Sequence, residues 1–124
     1  IYSIIAFKLG NYEMAYNYLK RVMETDYENI HNNTEHGLHV ANLGGSYLGF
    51  VYGLAGLRIH KNYISLSPST TMDLSNYKFS FYYQGFKVTV EVDKKLSITT
   101  TGKVPLKLFG AEINVDGIYK CDLK

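Results

Sequence analysis

The stretch Phe79–Val92, FSFYYQGFKVTVEV, carries the clearest structural signal among the 124 residues. Phe79, Phe81 and Tyr83 recur at every second position, the period at which side chains share one face of a strand. Gln84-Gly85 is then a two-residue connection, beyond which Phe86, Val88, Val90 and Val92 alternate with Lys87, Thr89 and Glu91. A two-residue turn resets which parity points inward, so the odd set before it and the even set after it are expected on one buried face. The pattern predicts an antiparallel hairpin.

Working outward, Asp93-Lys94 offers another reversal, Leu96 and Ile98 continue the inward face, and Thr99 to Thr101 are β-branched. Val104 to Phe109 and Ile113 to Tyr119 are shorter strand candidates, separated or interrupted by Gly110 and Gly117. On the other side, Tyr63, Ile64 and Leu66 precede Pro68, and Pro68 to Asn76 is a polar connection. Six or seven short antiparallel strands, forming a sandwich or a strongly curled sheet, are expected over residues 61–124.

Residues 1–60 have a different period. Ile1, Ile4, Ile5 and Leu9 have one-face helical spacing, and Gly10-Asn11 supplies a stop and then an N-cap. Tyr12, Ala15, Tyr16, Leu19, Val22 and Met23 recur at three and four, predicting a second helix with a buried stripe. Amphipathic packing is the expected role of Tyr12, Tyr16 and Tyr47. Residues 26–40 are polar and irregular. A third helix is expected from Leu43 to Leu57, apolar nearly all round, with Gly44, Gly45, Gly49, Gly53 and Gly56. Glycine costs a helix about 1 kcal/mol relative to alanine, so such a helix is expected to be enclosed by close neighbours. If the chain folds alone, homo-oligomer contacts are expected over it. The opening Ile1-Tyr2-Ser3-Ile4-Ile5 reads as a cut inside an element, hence a piece of a larger protein.

Composition narrows the function classes. Thirteen Lys/Arg against eleven Asp/Glu give a formal charge of +2, too weak a field to point to nucleic acid or an acidic membrane. The single cysteine, Cys121, cannot form an internal disulfide, which favours a reducing compartment. No apolar run reaches the roughly 18 residues of a membrane span. Walker, dinucleotide, serine-elbow and zinc-protease motifs are missing.

The densest chemistry is Asn32–Asn42, NNTEHGLHVAN, with a carboxylate, two imidazoles, a hydroxyl and amides beside a glycine-rich helix start. It is open to two readings: an anion or substrate site helped by helix N–H groups, Asn42 and Ser46, or a structural polar loop. His31, Glu35, His36 and His39 have metal-ligand chemistry, but Gly37 argues against a fixed helical arrangement, and no metal is expected.

The stretch TEHGLHVANLGGSYLGFVYGLAGLR, Thr34–Arg58, closely resembles the last barrel segment of the inverting disaccharide phosphorylases that act on maltose, trehalose and kojibiose. AFKLGNYEMAYNYLKRVMETDYENIHNN before it is similar to that family's helix pair and loop, and LRIHKNYISLSPS with the FSFYYQGFKVTVEV hairpin resembles its C-terminal β-sandwich. The resemblance implies an α+β chain: the terminal helices of an (α/α)6 barrel in residues 1–60, then a small antiparallel β-sandwich domain in 61–124. It implies a cytoplasmic parent enzyme in which inorganic phosphate, the co-substrate, attacks an α-linked glucose disaccharide to give β-glucose 1-phosphate, with no cofactor. His39, after Gly37 and Leu38, is the implied phosphate ligand, with Asn42 beside it and Glu35, His36, Gly37, Gly44 and Ser46 as neighbours. The general acid is implied to lie in an upstream barrel segment, so no catalytic residue is assigned and the isolated chain is expected to be inactive. At His36 relatives commonly carry an acid. The alternatives are a glycoside hydrolase of related fold and a non-catalytic protein- or glycan-binding module.

Overall fold

The computed structural model describes residues 1–25, 40–71 and 74–123. The chain divides into two compact units, Ile1–Leu54 and Ala55–Lys124.

In the first unit, α1 covers Tyr2–Lys8 and α2 covers Tyr12–Glu24. The expected joint is present. Gly10 takes the left-handed φ of +76°, and the Asn11 side chain accepts a hydrogen bond from Met14 N–H at 3.2 Å, capping α2. The buried stripe is shorter than expected: Ala15 and Leu19 are buried, while Tyr12 and Met23 are exposed. Both lie on the stripe but in the first and last turns, where neighbouring helices give less cover. Tyr12 instead sets its ring 6.3 Å from that of Phe7.

The third helix differs from the single Leu43–Leu57 element expected. Its described part, α3, is already formed at Val40, runs to Leu48, and continues as a π-helical turn, Gly49–Leu54. The change of winding coincides with close packing. A Cβ on Gly53 would stand 2.8 Å from Phe7 Cδ2, and one on Gly49 would be 3.0 Å from Ser3 Oγ. Enclosure is confined to this turn, where Gly49, Val51, Gly53 and Leu54 are buried; no residue of α3 is buried, and Leu43, Tyr47 and Leu48 are exposed.

In the second unit, Gly56 adopts φ +62°, and a Cβ there would meet the Ser67 carbonyl oxygen at 2.8 Å. Gly56 is therefore a turn residue, not a helical one. Six strands follow: β1 Arg58–Ile59, β2 Ile64–Leu66, β3 Tyr77–Tyr83, β4 Phe86–Val92, β5 Lys95–Leu108 and β6 Ala111–Asp122. The expected hairpin is β3–β4, with Phe79 opposite Val90 and Phe81 opposite Val88. Gln84 and Gly85 both have positive φ, 50° and 84°, the signature of a type I′ turn whose twist suits the strands. Val88, Val90 and Val92 are buried. Phe79 and Phe81 are half-buried in a stacked ladder with Tyr77, their centroids 6.0 and 6.5 Å apart in turn. Phe86 departs from the expected burial, at 39% exposed, because it begins its strand and lies over Gly102, where a Cβ would overlap its ring.

Two strand expectations are corrected. Thr99–Thr101 and Val104–Leu108 belong to one strand, β5, with a register shift against β6 between Thr100 and Val104. Gly102 lies inside this strand without ending it, and Gly117, at φ +89°, is likewise carried inside β6. The buried Thr100 hydroxyl closes the irregularity, donating to the Val115 carbonyl and accepting from Gly117 N–H, both at 3.2 Å.

The sheet is also mixed rather than antiparallel throughout. β6 pairs with both halves of β5, β4 pairs antiparallel with its first half, and β2 pairs parallel with Leu106–Leu108 in its second. The β3–β4 hairpin is thus part of the crossover that a parallel pair requires. The result is helices followed by one curled six-stranded sheet in the order β1-β2-β5-β4-β3, with β6 on β5. Its core holds Ile64, Leu66, Val90, Ile98, Val104 and Leu106.

Candidate functional site

His31, Glu35, His36, Gly37 and His39 lie outside the described residues, so the expected site is visible through Asn42, Gly44 and Ser46 on α3. Asn42 and Ser46 are four residues apart and half-buried on one helix face. Gly45 and Gly49 continue that face toward α2: Cβ atoms there would stand 3.9 Å from Val22 Cγ1 and 2.9 Å from Leu19 Cδ1. Gly44 is about 200° round the helix from Asn42, and a Cβ there would meet nothing within 4 Å. The structure therefore brings Asn42 and Ser46 together and puts Gly44 elsewhere.

The local hydrogen bonding sorts these groups chemically. Ser46 Oγ donates to the Asn42 carbonyl at 2.7 Å. A hydroxyl has one proton, so in this conformation Ser46 presents only lone pairs to an incoming anion. The Asn42 amide can donate. Since the helix is formed by Val40, the backbone N–H groups of Gly44 to Ser46 lie inside its hydrogen-bond ladder, and its N-terminus is upstream of the glycine pair rather than at it.

Among the described residues, no three His, Cys, Asp or Glu side chains gather as a metal site, and no helix is long and apolar enough to cross a membrane.

A second polar constellation sits on the solvent face of the sheet, where the sequence reading assigned nothing. Ile64 and Leu66 are buried, which turns Tyr63 and Ser65 outward. Register then places Lys107 beside Ser65, Glu112 opposite Lys107, and Asn114 opposite Pro105. Lys107 Nζ is 3.3 Å from Glu112 Oε1 and 4.6 Å from the Tyr63 ring centroid, while His60 stacks on Tyr63 at 4.2 Å. Alternation alone would have marked Lys107 and Glu112 as outward. Only the pairing of three strands shows that they converge.

With this geometry in view, comparison with known proteins decides the family. The model of the glycosyl hydrolase family 65 central catalytic domain matches residues 1–48, and that of the family's C-terminal domain matches residues 57–115. The chain belongs to glycosyl hydrolase family 65.

Among family-65 relatives, the chain is 38% identical over 113 residues to an α,α-trehalose phosphorylase of Geobacillus stearothermophilus, covering 89% of this chain and 15% of that protein. It is 32% identical over 95 residues to a maltose phosphorylase of Bacillus subtilis strain 168, covering 77% of this chain and 12% of the relative. A solved structure of a candidate kojibiose phosphorylase from the human microbiome superimposes with a TM-score of 0.90 at 27% identity, over 97% of this chain and 16% of that one. The chain thus spans about one-seventh of the length of these family-65 proteins. Asn42 and Ser46 fall near the end of the segment matching the catalytic domain, and β1 to β5 with the start of β6 fall in the segment matching the C-terminal domain.

Proposed function

We propose that this chain supplies the phosphate-binding side of the active site in a disaccharide phosphorylase. The observation that carries this reading is the 38% identity to a trehalose phosphorylase across 89% of the chain. In this reading the helical unit, residues 1–54, ends an (α/α)6 catalytic barrel and the curled sheet of residues 55–124 is its C-terminal β-domain, in a cytoplasmic enzyme acting on an α-linked glucose disaccharide.

Phosphate oxygen attacks the anomeric carbon as the glycosidic C–O bond breaks, a glutamic acid of the upstream barrel gives its proton to the leaving sugar, and the product is β-glucose 1-phosphate. His39 and Asn42 hold the phosphate through N–H donors, with Glu35, His36, Gly37 and Ser46 as neighbours. The chain alone is inactive, because one wall of a pocket cannot align donor, acceptor and phosphate. The exposed apolar side of α3, with Leu43 and Tyr47, is where the upstream barrel packs.

Phosphate titration of the complete enzyme and its His39→Ala variant, with glucose 1-phosphate release as readout, tests the assignment. The phosphate KM should rise by about tenfold or more, a lost charge-assisted hydrogen bond, with a smaller change for the sugar. Unchanged phosphate dependence would remove His39 from the site. Glucose release by the wild type without phosphate would instead establish hydrolysis, in which a general-base carboxylate and water replace phosphate.

A further inference from the structure

A cleft of about 250 Å³ opens on the solvent face of the sheet, lined by Asn62, Tyr63, Pro105, Lys107, Glu112 and Asn114 among others. We propose that it is a binding site for a neutral sugar ring, separate from the site built around α3. The inference rests on the cleft alone and does not depend on the phosphorylase reading.

Charge selects the ligand class. Lys107 and Glu112 are paired at 3.3 Å, so the cleft has one cation and one anion and no net attraction for phosphate. The pair instead matches a vicinal diol, in which one hydroxyl accepts from the ammonium while its neighbour donates to the carboxylate. Asn62 and Asn114 add amides that both donate and accept, as sugar hydroxyls require. Pro105 and the edge of the Tyr63 ring give an apolar wall for the C–H face of the sugar.

The site is held by the sheet rather than by loops alone. Lys107 and Glu112 are cross-strand partners on β5 and β6, as are Pro105 and Asn114. Tyr63 is braced by its stack on His60 and by the Lys107 ammonium over its ring. Its volume falls just under the roughly 300 to 1,000 Å³ of sites for drug-sized molecules, a scale suited to a single ring.

The test is an amide-resolved NMR titration of the chain with glucose, maltose and α,α-trehalose, with inorganic phosphate and ethylene glycol as controls. Saturable shifts centred on Asn62, Tyr63, Lys107 and Asn114, with a Kd of about 1 to 10 mM, are expected from the sugars only. Lys107→Met should weaken binding about tenfold, and the more exposed Asn114→Ala, which puts little packing at risk, should also weaken it while leaving the melting temperature unchanged. Absence of saturation at about 50 mM sugar, shifts centred elsewhere, or equal shifts with phosphate or ethylene glycol would overturn the proposal.

Discussion

A Cβ on Gly49 would stand 2.9 Å from Leu19 Cδ1, so the π-helical turn approaches α2 this closely only because position 49 has no side chain. Leu19 is itself buried and has little room to yield. Gly49→Ala is therefore expected to destabilise the chain by about 1 to 2 kcal/mol, overpacking outweighing the better helix propensity of alanine. Gly44→Ala, with nothing within 4 Å, should instead stabilise it by about 0.5 to 1 kcal/mol. Urea unfolding of both variants checks the contrast, and equal effects would mean that packing does not distinguish the two positions.

Thr100 holds the irregular stretch of β5 to β6 by donating to Val115 and accepting from Gly117. Thr100→Val keeps the shape but leaves two backbone groups without this partner, and should cost about 1 to 3 kcal/mol. Thr100→Ser should recover most of that loss. Chemical denaturation gives the ranking directly.

Burial raises the pKa of the Tyr77 phenol, whose hydroxyl donates to the Ser69 carbonyl at 2.8 Å. A pKa raised by folding stabilises the chain below the ordinary phenol value of about 10, and this contribution is lost as pH rises through and beyond it. Tyr77→Phe should lower stability by about 1 kcal/mol near neutrality, with the gap to wild type closing above about pH 10. Denaturation curves at neutral and alkaline pH measure that convergence; a constant gap would mean that Tyr77 ionisation is not coupled to folding.

Ser46 commits its proton to the Asn42 carbonyl. In the complete enzyme Ser46→Ala is therefore expected to leave the phosphate KM within about twofold, whereas Asn42→Ala should raise it by about fivefold or more through loss of an amide donor. Initial rates at varied phosphate distinguish the two. A larger defect at Ser46 than at Asn42 would reverse the roles given to these side chains.

The period-two pattern of Phe79–Val92 and the Gly10-Asn11 joint were legible from sequence because their causes are local. Strand alternation, positive φ at Gly85 and Gly10, and a side-chain cap three residues from its donor all act within a few positions. The residue pattern of Thr34–Arg58 likewise pointed to the family that the matched models establish. The winding of the third helix was not legible, because it changes where Gly49 and Gly53 meet Leu19, Ser3 and Phe7, residues more than 29 positions away. Nor was the parallel pairing of β2 with β5, since Ile64 and Leu106 are far apart in the chain and meet only through the crossover that contains the intervening hairpin. The cleft around Lys107 belongs to the same class. Sequence alone determined that Tyr63, Lys107, Glu112 and Asn114 were polar or amphipathic residues suited to a solvent face; the register of β2, β5 and β6 decided that they share one place, because a strand's own alternation sets which face a side chain takes but not which neighbour it meets.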